Sequence, residues 1–296
     1  MIISASYRTD IPAFYAQWFL NRLDAGFART INPYGGQVST VSLTGDAVDG
    51  FVFWTRNLEP FTGALDVVHG RNLPFVLQYT VTGYPRALDA ATIDPERAIT
   101  HLRAVAARFR PGVGVWRYDP IVFSSLTPPA WHRQNFHRLC AQMKGTVDEV
   151  VVSFAQNYRK TARNMAVAAR AAGFEWWDPP ADEKQALLAS LAEIADGHGL
   201  PLKLCGQPEL RTEGVGEARC VDAERLSRVA GWDITAPRRP HRKTCGCWAS
   251  RDIGAYDSCP HGCAYCYAVN SRDAAKRRFQ NHDPTSEYLF APLNRD

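Results

Sequence analysis

Ile2-Ile-Ser-Ala-Ser6-Tyr-Arg8-Thr-Asp10-Ile-Pro12 is the stretch that decides the fold. It opens with a short apolar run, the pattern of a buried strand. A polar turn follows, then Asp10 in a helix-capping position and Pro12 in the first turn of an amphipathic segment over 12–23. Strand, polar turn and helix together make one β/α unit.

The unit recurs along the chain. Apolar runs at 51–54, 75–81, 113–116, 150–154 and 200–204 alternate with amphipathic segments at 95–109, 129–143, 161–172 and 183–195. Proline opens several of these segments, and glycine stands beyond the ends of others, at Gly26, Gly145, Gly173 and Gly197. Such alternation predicts an α/β fold with a parallel sheet built by right-handed crossovers. Six strands suit a TIM-like parallel β/α barrel, partial or closed, over residues 1–205. After residue 205 strand patterning gives way to cysteine, glycine and basic residues. Residues 206–296 are therefore expected to form a cysteine-rich extension packed on the barrel mouth, with helices near 222–229 and 271–279.

In a parallel barrel the carboxyl ends of the strands form the active face. Ser4, Ser6, Arg8 and Asp10 fall there, as do Arg56, Arg117, Asp119, Ser153 and Lys203. Any one of them could be ordinary loop polarity, and Asp10 alone reads as a cap. As a set, Arg8, Asp10, Arg56, Arg117 and Asp119 are expected to line one cavity, because they follow different strands.

The 296 residues, 46% hydrophobic with eight tryptophans, are ample for a packed core. No apolar run approaches the ~18 residues that span a bilayer, and the first residues lack the pattern of a secretory signal. The expectation is a cytoplasmic protein without a membrane partner. In a reducing compartment, eight cysteines point to metal or redox chemistry rather than disulfides. A net charge of +4 neither requires nor excludes nucleic acid, and the basic run 238–243 reads as a solvated loop or as phosphate contacts. Phosphate-loop, dinucleotide and nucleophile-elbow motifs are absent. His132 and His137 are five apart and so do not share a zincin face.

That leaves the cysteines. Cys259-Pro-His-Gly-Cys263-Ala-Tyr-Cys266-Tyr-Ala brings three thiols within eight residues. Three thiolates leave one iron of a cluster open, whereas structural zinc is closed by four ligands. A zinc knuckle completed by His261 or by another cysteine is the alternative. Cys205, Cys220, Cys245 and Cys247 could close a second site around a [4Fe-4S] cluster or zinc, with Gly246 giving a tight turn between the last two. Alternatively Cys205 and Cys220 are packing residues, as Cys140 on its amphipathic helix is expected to be.

The Cys259–Cys266 string, with Tyr265 in its aromatic slot, resembles the cluster motif of radical S-adenosylmethionine (SAM) enzymes. The string Cys259-Pro-His-Gly-Cys263-Ala-Tyr-Cys266-Tyr-Ala looks most like the version in spore photoproduct lyase and DNA repair photolyase-like proteins. The chain as a whole resembles the DUF1848 family, through Ser4-Ala-Ser-Tyr-Arg-Thr-Asp-Ile-Pro-Ala-Phe-Tyr15 and the segment from Asp252 to Tyr256 that runs into Cys259.

These resemblances imply a [4Fe-4S] cluster on Cys259, Cys263 and Cys266, with SAM on its open iron and Tyr265 near the adenine. They imply reductive cleavage of SAM, an external electron donor such as flavodoxin or ferredoxin, and a small-molecule or nucleic-acid substrate. In radical SAM enzymes the motif follows the first barrel strand, but here some 250 residues precede it. A circular permutation follows: residues 253–256 would pair as a strand beside 2–5. Ser4, Ser6 and Arg56 would then serve the cofactor, and Arg8, Asp10, Arg117 and Asp119 the chemistry. The competing reading is a non-SAM iron–sulfur or zinc protein, acting in electron transfer or as a nucleic-acid-binding module.

Overall fold

A computed structural model describes residues 1–110, 112–240 and 244–291. Its strands are β1 (Ile2–Ala5), β2 (Phe27–Ile31), β3 (Val38–Ser42), β4 (Gly50–Thr55), β5 (Phe75–Thr80), β6 (Gly114–Ile121), β7 (Phe123–Ser124), β8 (Val150–Phe154), β9 (Trp176–Trp177), β10 (Leu202–Leu204), β11 (Gly216–Glu217) and β12 (Ser250–Asp252). The helices are α1 (Ile11–Phe14), α2 (Ala16–Ala25), α3 (Thr62–Gly70), α4 (Pro95–Arg108), α5 (Pro129–Met143), α6 (Arg159–Ala172), α7 (Ala181–Gly197), α8 (Ala223–Ala230) and α9 (Arg272–Gln280).

Eight strands form one sheet in the order β11-β10-β8-β6-β5-β4-β1-β12. Every neighbouring pair is parallel. The six strands expected from sequence all stand in it, and β11 and β12 extend its edges. The sheet is open: among the described residues the two edges do not pair into a closed barrel. Edge strands of two and three residues offer too few ladder bonds to close a ring.

The strands read as continuous apolar runs because both faces are covered, as in other parallel sheets. Side chains alternate between the faces. Ile3, Phe51, Phe53, Leu77, Tyr79, Trp116, Tyr118, Val150 and Val152 meet the helices on one face. Ile2, Val52, Val76, Val115 and Val151 meet Ala218, Cys220, Val221, Leu226 and Trp248 on the other. Residues beyond 205 thus supply both sheet edges and the cover of the inner face. Arg225 of α8 fixes that cover at the amino ends of the strands, donating to the Gly112 carbonyl at 2.7 Å and pairing with Asp148 and Glu149 at 2.8 Å. Toward the carboxyl ends the same face turns polar, through Ser4, Gln78, Arg117 and Ser153. That gradient sets the place of a site.

Local chemistry fixes the helix starts. Asp10 Oδ1 accepts from the Ala13 amide at 2.9 Å, Asp222 caps α8 and Ser271 caps α9. The helix expected over 12–23 is broken at Tyr15 into α1 and α2. The strand expected at 253–256 lies three residues earlier, as β12, which pairs with Ile2, Ile3 and Ser4. Pairing stops there because Asp252 folds the chain back, accepting from the Gly254 amide at 2.9 Å. The close approach needs glycine: a Cβ on Gly254 would lie 2.1 Å from Ser6 Oγ. Of the basic run, His241, Arg242 and Lys243 lie outside the described residues. Among the described residues no helix is long and apolar enough to cross a membrane.

Candidate metal centre

Beyond β12 the chain carries Cys259, Cys263 and Cys266 past the loops that follow β1, β4 and β5. Three anchors hold this cysteine loop. The first is Asp10, whose Oδ2 accepts from His261 Nε2 and from the Arg56 amide, both at 2.8 Å. The second is the loop after β5, where Ala264 donates to the Leu88 carbonyl at 2.8 Å and Ala91 to that of His261 at 2.9 Å. The third is Tyr265, whose hydroxyl donates to Asp89 Oδ1 at 2.6 Å. Gly262 lets the loop turn: its φ is +75°, and a Cβ there would lie 2.3 Å from Arg272 Nε.

Asp89 is the residue that sequence reading missed. Arg56 Nη1 donates to its Oδ2 at 2.6 Å, and Arg56 Nη2 donates to the Tyr265 hydroxyl at 2.7 Å. Thr82 Oγ1 donates to Asp89 Oδ2 at 2.8 Å. Burial alone would raise the Asp89 carboxyl, but the Arg56 charge and the bonds from Tyr265, Arg56 and Thr82 hold it below the usual range. Nothing in the pattern of the 82–93 loop marks Asp89, because its partners Arg56 and Tyr265 come from just beyond β4 and from the cysteine loop.

The three cysteines are half-buried residues. Burial, then the charges of Asp10 and Cys266, push the Cys259 thiol up. Burial, then Asp89 and the other two sulfurs, push Cys263 up against the pull of Arg56. Burial also raises Cys266, although the Ala268 amide donates to its sulfur at 3.4 Å. Ionised, these thiols would repel one another, and a cation among them would relieve that repulsion.

Among the described residues no three Cys, His, Asp or Glu side chains are gathered to hold a single ion. Three cysteine thiols are donors of the kind that hold either an iron–sulfur cluster or zinc. His261 is not free to complete a zinc site. It is buried, its Nε2 is bonded to Asp10, its Nδ1 lies 3.4 Å from the Ala91 carbonyl, and its ring packs on Phe14.

A family model described as a domain of unknown function, DUF1848, matches residues 2–268. The chain belongs to the DUF1848 family. The matched span runs from β1 through the cysteine loop. No curated protein and no solved structure matches the chain.

The other predicted residues of this DUF1848 member separate into two further networks. Ser4 Oγ and Ser6 Oγ donate to the two oxygens of Asp252 at 2.8 Å, and Arg8 Nε lies 3.7 Å from Oδ1. The two serines thus join β1 to β12. Burial raises the Asp252 carboxyl despite Arg8 and these donors. Arg8 itself is stacked between the rings of Tyr7 and Tyr256, at 5.5 and 5.4 Å, and lines a cavity of about 230 Å³ with Arg29, Tyr256, Arg278 and Phe290.

The second network centres on Arg117, which forms a bidentate pair with Asp119 at 2.8 and 2.6 Å. Its Nη1 donates to Gln78 Oε1 at 3.0 Å and to Cys220 Sγ at 2.9 Å. Its guanidinium also lies 5.1 Å from the centre of the Trp54 ring. Trp54 Nε1 in turn donates to Ser4 Oγ at 3.2 Å, linking this network to Asp252. The five residues expected in one cavity thus occupy three networks along the carboxyl ends of the strands, Asp10 and Arg56 belonging to the cysteine loop. Lys203 pairs instead with Glu149. Cys140 is fully buried in the helical core, as expected.

Proposed function

We propose that this DUF1848 member is an iron–sulfur enzyme of the radical SAM type, built on a circularly permuted partial β/α barrel. One observation carries the reading: β12 occupies the slot beside β1, and the three-cysteine loop departs from its carboxyl end. From that edge the strand order is β12-β1-β4-β5-β6-β8, which would suit an open barrel begun at β12. Cys259, Cys263 and Cys266 would hold the cluster and leave its fourth iron open for SAM. A cluster held by these cysteines would supply the electron for reductive cleavage of SAM.

The protein's own residues bind, orient and exclude water. Arg56, Asp89 and Thr82 fix Tyr265 and with it the cysteine loop. Asp10 is a positioning residue, since both its oxygens are engaged by helix α1, the Arg56 amide and His261. The apolar layer of Ile2, Val52, Val76, Val115 and Val151 closes the amino end of the inner face. Arg117, Asp119, Ser153 and Trp54 form the polar wall on which a small-molecule or nucleic-acid substrate would lie. An external flavodoxin or ferredoxin would supply the electron.

Anaerobic reconstitution tests this directly. The expected result is about four irons and four sulfides per chain at this site, with 5′-deoxyadenosine formed from SAM under dithionite and lost in Cys259→Ala. A cluster that never cleaves SAM would leave an electron-transfer protein. Zinc in place of iron would leave a stapled binding module.

A further inference from the structure

Cys205, Cys220, Cys245 and Cys247 stand apart from the cysteine loop, and the proposed reaction does not use them. Each is tied to a different part of the inner cover. Cys205 follows β10, its amide bonded to the Val152 carbonyl at 2.8 Å. Cys220 lies beyond β11, its carbonyl accepting from Gln78 Nε2 at 3.0 Å. Cys247 precedes Trp248, whose amide donates to Val221 at 3.1 Å. Cys205 Sγ and Cys220 Sγ are 3.4 Å apart. Cys220 and Cys247 share a further thiol hydrogen bond, as do Cys247 and Cys245.

We propose that these four cysteines bind one tetrahedral ion of the zinc type, and not a second cluster. The sulfur spacing decides between them. Zinc–sulfur bonds of about 2.3 Å in a tetrahedron place neighbouring sulfurs about 3.8 Å apart. Cys205 Sγ and Cys220 Sγ, 3.4 Å apart, already stand near the length of one edge of such a tetrahedron, and Cys247 and Cys245 neighbour Cys220 in turn. A cubane would force these sulfurs apart. No three of these thiols yet converge on a common point, so binding draws them inward. Gly246 gives the Cys245–Cys247 pair room to do so, since a Cβ there would press on Glu217 at 2.8 Å.

The surroundings suit a dianionic tetrathiolate. Arg117 Nη1 already donates to Cys220 Sγ, and outer donors of this kind tune metal affinity. Binding a divalent ion deprotonates the thiols and releases the protons. The ion would clamp β10, β11 and the 245–248 stretch together, holding the inner cover on the sheet and Arg117 in place.

Cobalt is the probe. In a full-length Cys259→Ala/Cys263→Ala/Cys266→Ala variant, Co²⁺ is expected to bind one per chain, with sulfur-to-cobalt charge transfer and intense tetrahedral bands that zinc displaces. Adding Cys220→Ser should abolish those bands, and adding Arg117→Gln should weaken binding about 10–100-fold. If the triple variant does not fold, native mass spectrometry of the unmodified chain should show one zinc per chain. No thiolate bands and no zinc overturn the site, as does a second set of about four irons and sulfides per chain, or binding indifferent to Cys220→Ser. Loss of SAM cleavage with the cobalt site intact counts only against the radical reading.

Discussion

Asp89→Asn tests whether the buried Arg56 pair holds the cysteine loop. The Arg56 and Asp89 side chains are only 12% and 2% exposed. Removing one partner of a buried pair leaves the other charge uncompensated, at about 3–5 kcal/mol. At about 2–4 °C per kcal/mol in a large domain, the midpoint should fall by about 6–20 °C. The metal-free protein should be scanned, so that cluster loss does not mask the effect, and iron should be counted separately after reconstitution. Asparagine still accepts from Tyr265 or Thr82, so the charge is the main loss. Arg56→Met with Asp89→Leu should recover much of the stability, because a packed apolar pair replaces a buried ion pair at little cost. The pH sign follows from the depressed carboxyl. Its contribution is whole above the ordinary Asp pKa of about 3.9 and is lost as pH falls through the lower folded value. A midpoint shift under about 1 °C with full iron loading would refute the argument.

Two further outcomes are expected. Gly262→Ala should leave the sheet folded yet cut iron retention severely, because the new Cβ meets Arg272 at 2.3 Å on a left-handed backbone; iron content beside circular dichroism reports both. His132, bonded to Tyr118 and Val122, is pushed down to about 4 by burial, so the fold binds fewer protons there than the unfolded chain. Its share of stability is whole above about pH 6.5 and declines by about 3 kcal/mol as pH falls to 4. Urea midpoints across that range, no flatter in His132→Asn than in the parent, would dismiss it.

The β/α alternation was legible because each central strand is a short apolar run bounded by turn residues, and because Asp10, Asp222 and Ser271 cap helices locally. The hairpin β2–β3 was hidden: Val38-Ser-Thr-Val-Ser42 is largely exposed, and its pairing depends on the turn between Asn32 and Gln37. The cysteine loop was legible as a motif, but its anchors were not. Asp89 acquires its meaning only when Cys263 pairs with it as a β-bridge. Ser4 and Ser6 looked like ligand contacts because they end a strand. Both bond Asp252, a partner that appears only when β12 enters the neighbouring slot. Closure of the sheet depends on edge lengths that periodicity does not report.

The bond from Ser4 to Asp252 spans 248 positions. Closing so long a loop costs little extra at equilibrium, about 0.6 kcal/mol per doubling of length. Its kinetic weight is larger, because distant pairings form late. Until residues 250–252 arrive, β1 is a bare edge able to template another strand, a hazard for a chain emerging during synthesis. The cysteine loop is thus assembled on an otherwise finished scaffold. If that loop holds the proposed cluster, metal delivery would be the closing event of folding, following the pairing of β12 with β1.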